Sequence, residues 1–204
     1  MAEVAAIVLA AGRSTRFSGG AEGATKLVAQ FDGAPLVRRS VEAAIGSGAK
    51  PVVVVTGHAR EQVMDALAGL DFVEARNPDY ARGIASSVKA GLAALSPSCE
   101  GALIFLADMP RVTADLARSL IAAFASDPGV DAVAPLVDGR RGNPVLLSRR
   151  LFAPAMRLDG DEGARKLLMR EGARVVEIAV DDLGAAFDVD TPEALQFRGS
   201  RGAE

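Results

Sequence analysis

Val4-Ala5-Ala6-Ile7-Val8-Leu9-Ala10-Ala11-Gly12-Arg13-Ser14-Thr15-Arg16 is the stretch that decides the fold. The aliphatic run from Val4 to Leu9 is short and does not alternate with polar residues, the pattern of a strand buried on both faces. It opens directly into small residues and then cations. Pro51 to Val55, Phe72 to Ala75 and Ala102 to Leu106 are similar short runs. Between and beyond them, Leu36 to Ile45, Glu61 to Leu67, Ile84 to Leu95 and Leu116 to Phe124 carry helical periodicity. Alternating strands and helices predict βαβ units, hence a Rossmann-like α/β three-layer sandwich around a mostly parallel sheet. Val130 to Val137 and Pro144 to Leu147 flank the Asp138-Gly139-Arg140-Arg141-Gly142 turn and predict an antiparallel pair, which makes the sheet mixed. Further helices are expected over Gly163 to Glu171 and Pro192 to Gln196.

The chain has 204 residues, half of them hydrophobic and 24% charged, which suits one globular domain able to bury a core. That domain is expected to span 1–204, with its core over about 4–197 and a polar, Gly-rich tail at 198–204 that frays. A net charge of −3 argues against nucleic acid as a partner, because duplex binding needs a basic stripe. One cysteine, Cys99, and one histidine, His58, exclude an internal disulfide, a Cys-rich metal site and a multi-His zinc site. The N-terminus shows no basic leader, and no stretch reaches the roughly 18 apolar residues of a membrane span. A soluble, cytoplasmic protein without a membrane partner is expected.

In such sheets ligands sit beyond the carboxyl ends of the strands, so the loops that follow them are informative. In the first of these, Leu9-Ala10-Ala11-Gly12, small residues let backbone N–H groups approach a triphosphate, and Arg13, Arg16 and Lys26 supply positive charge. Neither the dinucleotide nor the Walker glycine spacing is present. Lys26 follows a Gly-rich segment without helical pattern and is expected to carry little packing. Asp108, in Phe105-Leu106-Ala107-Asp108-Met109-Pro110, ends a buried strand where a cation bridging phosphates would need an oxygen ligand; it is also a plausible turn residue before Pro110. Thr56-Gly57-His58 either contacts a base or caps the next helix, and a structural part is favoured for the isolated His58. Asn77-Pro78-Asp79-Tyr80-Ala81-Arg82-Gly83 reads as a turn and Ser86-Ser87 as a helix opening. Gly142-Asn143-Pro144, the cluster from Gly160 to Arg165, and Asp188-Val189-Asp190-Thr191-Pro192 are able to reach an acceptor or a metal, or to serve as a hairpin exit and helix caps.

Taken together and in this order, the blocks resemble the molybdenum cofactor nucleotidyltransferases, the MobA-like NTP transferases, over Val4 to about Leu195. The run from Asn77 to Gly91, Thr56-Gly57-His58, Asn143 and the Gly160 to Arg165 segment are more similar to the cytidylyltransferase branch than to the guanylyltransferase branch. The resemblance implies the nucleotide-diphospho-sugar transferase type of fold. It also implies that Leu9, Ala10, Ala11, Gly12, Arg13 and Lys26 hold the triphosphate. By the same resemblance Gly83 and Ser87 lie beside base and ribose with Asn77 nearby, and Asp108 and Asp190 bind Mg²⁺; Thr56 is counted with the nucleotide-binding residues expected near the base. Asn143, Gly160, Asp161, Gly163 and Arg165 would face a molybdopterin-type acceptor. Lys26, Arg16 and Asp108 are the expected catalytic groups. One departure is the stretch between Gly12 and Lys26, a few residues longer than the family pattern.

The activity this implies is transfer of CMP from CTP to the acceptor's terminal phosphate. Two other enzymes fit the same nucleotide half: a GTP-dependent guanylyltransferase and a sugar-phosphate nucleotidyltransferase. A non-catalytic carrier in cofactor maturation is a further alternative, disfavoured because Lys26 and Asp108 are both present. A molybdoenzyme or its maturation chaperone is the protein partner that this reading suggests.

Overall fold

The computed structural model describes residues 3–14, 17, 25–170, 172–181, 183–191 and 194–195. In chain order the main elements are β1 (Val4–Ala10), β2 (Gln30–Phe31), β3 (Ala34–Pro35), α1 (Leu36–Gly46), β4 (Val52–Thr56), α2 (Arg60–Ala66) and β5 (Val73–Arg76). There follow α3 (Ile84–Ala93), β6 (Gly101–Leu106), α4 (Ala114–Ser126), β7 (Ala132–Val137), β8 (Arg140–Arg141), β9 (Val145–Ser148), α5 (Phe152–Ala155) and β10 (Val175–Ala179). The central sheet runs β10-β7-β9-β6-β1-β4-β5, with β8 paired to β7. β6, β1, β4 and β5 are mutually parallel, whereas β9 is antiparallel to both β6 and β7. This is the mixed, mostly parallel sheet expected from the strand pattern.

Every residue of β1 is buried, as the unbroken aliphatic run requires. Ala6, Val8 and Ala10 face one apolar core with α1, α2 and α4; Ile7 and Leu9 face the other with α3 and α5. Three layers result from this alternation. Gly91 lets α3 lie directly on β1, since a Cβ there would come within 2.5 Å of Ile7 Cγ2. Leu9 pairs with Leu106 and Ala10 with Thr56, so the loops leaving β1, β4 and β6 emerge side by side.

The differences from expectation are local. α4 starts at Ala114, two residues before the periodic run, because Thr113 caps it by accepting a hydrogen bond from the Leu116 N–H at 3.2 Å. Ser86 and Ser87 lie inside the first turn of α3, whose cap position is Gly83. The helix expected over Gly163 to Glu171 is a 3-10 segment, Ala164–Met169, with Glu171 outside the described residues. Of the helix expected over Pro192 to Gln196, only Ala194 and Leu195 are described. β10 was not anticipated: it pairs parallel with β7, and its residues are only partly buried. Among the described residues no helix is long and apolar enough to cross a membrane.

Candidate functional site

Lys26 sits where the first loop returns to the sheet. The Ser14 and Thr25 hydroxyls are 3.3 Å apart and the Lys26 N–H donates to Ser14 Oγ at 3.2 Å, so the two ends of the lengthened stretch meet. Thr25 Oγ1 also accepts from the Leu27 N–H, starting a 3-10 turn over Lys26–Val28. The expectation of little packing at Lys26 is corrected: the residue is only 8% exposed. Its ammonium bridges two carboxylates, with Nζ 2.8 Å from Asp108 Oδ2 and 2.7 Å from Asp190 Oδ1. Asp108 follows β6, and its carbonyl accepts from the Val189 N–H at 3.0 Å, which brings in the Asp188–Asp190 segment.

Burial alone would lower the Lys26 pKa, but Asp108 and then Asp190 outweigh it and hold the ammonium above its ordinary value. Burial pushes the Asp188 carboxyl up, with Asp190 and Asp108 adding to the effect and Lys26 opposing it. The Lys26 ammonium thus bridges two carboxylates, with Asp188 in the same field. Among the described residues no group of three or more His, Cys, Asp or Glu side chains forms a metal cage. A divalent ion at Asp108 and Asp190 would take two protein oxygens and complete its shell from phosphate and water, the habit of Mg²⁺.

The cluster of Lys26, Asp108 and Asp190 lines a cavity of about 500 Å³, whose walls also include Leu9, Ala11, Gly12, Ser14, Tyr80, Ile84 and Ser87. A Cβ on Gly12 would meet nothing within 4 Å, so the main chain there stands open to a ligand. Ala10 is fully buried in the core, and Arg13 is exposed without lining the cavity. Arg16 lies outside the described residues. Tyr80, the single tyrosine of the chain, packs its ring 5.9 Å from that of His58.

Three residues expected near the base take indirect places. Thr56 is fully buried, and its hydroxyl donates to Glu74 Oε1 at 2.5 Å, so its side chain cannot face a nucleotide. Asn77 is 3% exposed and donates through Nδ2 to Ser86 Oγ at 2.8 Å and Ser87 Oγ at 3.0 Å. It therefore orients Ser87, which does line the cavity. Gly83 adopts φ +99°, and a Cβ there would lie 2.2 Å from the Gly160 carbonyl oxygen. Its role is close packing, and the adjacent Ala85 N–H donates to Gly160 O at 3.1 Å.

A second cavity of about 420 Å³ adjoins the first, sharing Ile84, Leu106 and Asp161 with it. Asn143, Gly163, Arg165 and Asp188 complete its polar lining. Asn143 is placed by a hydrogen bond from its N–H to Ala185 O at 2.8 Å. The residues expected at the acceptor thus gather in one place, except that Gly160 serves through its carbonyl. Ser14 and Tyr80 line the first cavity without having been given a site role in sequence, where the lone tyrosine was the one available signal; Asp188, in the cluster expected to reach an acceptor or a metal, lines the second.

Comparison with known proteins agrees with this architecture. The MobA-like NTP transferase domain, as a family model, matches residues 6–175. The molybdenum cofactor cytidylyltransferase of Escherichia coli (strain K12) is 27% identical over 95% of this chain and 94% of its own. Nicotine blue oxidoreductase of Paenarthrobacter nicotinovorans is 30% identical over 94% of each. Among solved structures, Rv0371C of Mycobacterium tuberculosis H37Rv in complex with manganese superposes with a TM-score of 0.75 at 27% identity, covering 95% of this chain and 96% of that one.

Proposed function

This chain belongs to the MobA-like NTP transferase domain family and is a nucleotidyltransferase, and from that premise we propose that it moves CMP from CTP to the terminal phosphate of a molybdopterin-type cofactor, releasing pyrophosphate. The observation that carries the reading is Lys26 bridging Asp108 and Asp190 in the wall of the first cavity, with the second cavity adjoining it. In this reading the first cavity takes the nucleoside triphosphate and the second the acceptor.

Attack is in line, by the acceptor phosphate on the α-phosphorus. A phosphate monoester has a second pKa of about 6, so it is largely dianionic near neutrality and needs no general base. The protein's work is to align two anions and neutralise charge. The open backbone at Ala11 and Gly12 receives the phosphates. In this reading Lys26 serves the phosphate oxygens, and Asp108 and Asp190 are the residues that would hold Mg²⁺. When bound, the ion neutralises charge that develops on the phosphates. Ser87 and Tyr80 border the nucleoside end, while Asn143, Asp161 and Arg165 orient the acceptor.

CTP is favoured over GTP by the sequence similarity, and the cytidylyltransferase of Escherichia coli supports the same choice. Purified protein is incubated with molybdopterin cofactor and each nucleoside triphosphate in turn, and pyrophosphate release is followed. Turnover with CTP is expected. Preference for GTP moves the protein to the guanylyltransferase reading, and turnover only with a sugar phosphate moves it to the sugar-nucleotide one.

A further inference from the structure

Three chain segments carry Lys26 and the two carboxylates it bridges, and one arginine outside both cavities joins them. Asp108 lies three residues before Arg111, Asp190 three after Phe187, and Lys26 five before Phe31. The Arg111 guanidinium carbon is 4.4 Å from the Phe187 ring centroid and 5.6 Å from that of Phe31. The two rings are 6.0 Å apart and tilted by 42°. Phe31 is buried with Leu36 and Val189 in a small apolar cluster distinct from the two main cores, with Phe187 packed against it. Arg39 fixes the same platform by donating from Nε to the Phe31 carbonyl at 2.8 Å.

Phe187 to Asp190 has no helix or strand of its own. Its position comes from the Val189 bond to Asp108, the burial of Val189, and the contact of Phe187 with Arg111. A guanidinium over an aromatic face is held by the ring quadrupole, and the flat group keeps its charge at any working pH. We propose that Arg111 is a positioning residue for the carboxylate pair: stacked on Phe187, it fixes the distance of Asp190 from Asp108 and so sets the affinity of the site for a divalent cation. The inference rests on reading Asp108 and Asp190 as the cation ligands.

The test uses the full chain with Mn²⁺ as probe and CTP or GTP present. No acceptor is added, so the nucleotide is not consumed. Free Mn²⁺ is followed by electron paramagnetic resonance, with melting temperature measured alongside. Arg111→Met is expected to weaken Mn²⁺ binding about tenfold while melting within a few degrees of wild type. Phe187→Leu should do the same, and the double variant should be no worse than the weaker single one, because the two side chains act as a unit. Phe187→Tyr, which keeps the ring, should bind Mn²⁺ as wild type does, and it carries the comparison if Phe187→Leu does not fold. Wild-type Mn²⁺ affinity in Arg111→Met, or fully additive losses in the double variant, overturns the role of Arg111. Failure of the wild-type protein itself to bind Mn²⁺ overturns the carboxylate reading and the role of Arg111 with it.

Discussion

The N–H of Val189 donates to the carbonyl oxygen of Asp108 at 3.0 Å, and the bond joins two segments far apart in the sequence. Val189 is fully buried against Phe31 and Leu36. The separation of the Asp108 and Asp190 side chains is therefore anchored in the main chain and does not depend on rotamers alone. Lys26 reaches a pair of carboxylates already arranged for it.

Replacing Lys26 by Met keeps much of the buried length and removes the charge. Turnover should fall about 10²- to 10³-fold, the scale expected for loss of one preorganised charged group. Mn²⁺ binding without nucleotide should move the other way and tighten, because Asp108 and Asp190 no longer share an ammonium. Melting temperature should fall in metal-free buffer and recover with Mn²⁺. Paramagnetic titration and thermal melts check both; a variant that neither gains Mn²⁺ affinity nor loses activity would separate Lys26 from the site.

At Gly83, alanine must accept φ +99° and place its Cβ 2.2 Å from the Gly160 carbonyl oxygen. The contact is with backbone, so relief requires parting α3 from the segment that carries Asp161. A loss of at least about 2 kcal/mol in urea unfolding is expected. Nucleotide binding should weaken with it, because Asp161 borders both cavities. Wild-type stability in Gly83→Ala would show that the contact is slack.

Glu74 joins the edge strand β5 to its neighbour. It accepts from Arg60 at 2.7 and 2.6 Å and from the Thr56 hydroxyl. The Arg60 hydrogen bonds lower its pKa, burial opposes them, and Thr56 adds to the lowering. A carboxylate with a depressed folded pKa contributes stability above its unfolded value, and that contribution is lost as pH falls through the folded one. Glu74→Gln should therefore melt roughly 2–4 °C below wild type at pH 7, with the gap closing below the ordinary range of a glutamate. Melting curves from pH 7 to pH 3 check this, and a gap independent of pH would assign the loss to geometry instead.

The Ser148 hydroxyl is buried without a hydrogen-bond partner among the described residues. An unmet buried hydroxyl costs about 1–3 kcal/mol, and alanine removes it with little change of volume. Ser148→Ala should be more stable by about 1 kcal/mol in urea unfolding, with activity unchanged because the residue lies in neither cavity. A destabilised variant would reveal an ordered water on Oγ.

The sequence made β1, β4 and β6 legible because strands buried on both faces must be aliphatic throughout, and α1, α3 and α4 legible through their periodicity. β10 was not, since its partly buried residues carry neither pattern. Thr56 was read toward the nucleotide because its partner Glu74 lies on the adjacent strand, a relation that register decides and local sequence does not. The burial of Lys26 was hidden for the same reason, as its two carboxylates are distant in the chain. Arg111 offered no local signal at all, for its aromatic partners come from two remote segments.

The antiparallel strand β9 divides the sheet, and the division has a consequence for recombination. The loops leaving β1 and β6, with Tyr80, Ile84 and Ser87, supply most of the first cavity's lining, whereas most of the polar lining of the second comes from chain beyond α4. A chimera joined after Ser126 would thus exchange one acceptor chamber for another while leaving the host's phosphate loop untouched. The incoming part would also bring its own counterparts of Phe187, Val189 and Asp190. Such a graft succeeds only where those three residues meet the host's Arg111 and Asp108 in register.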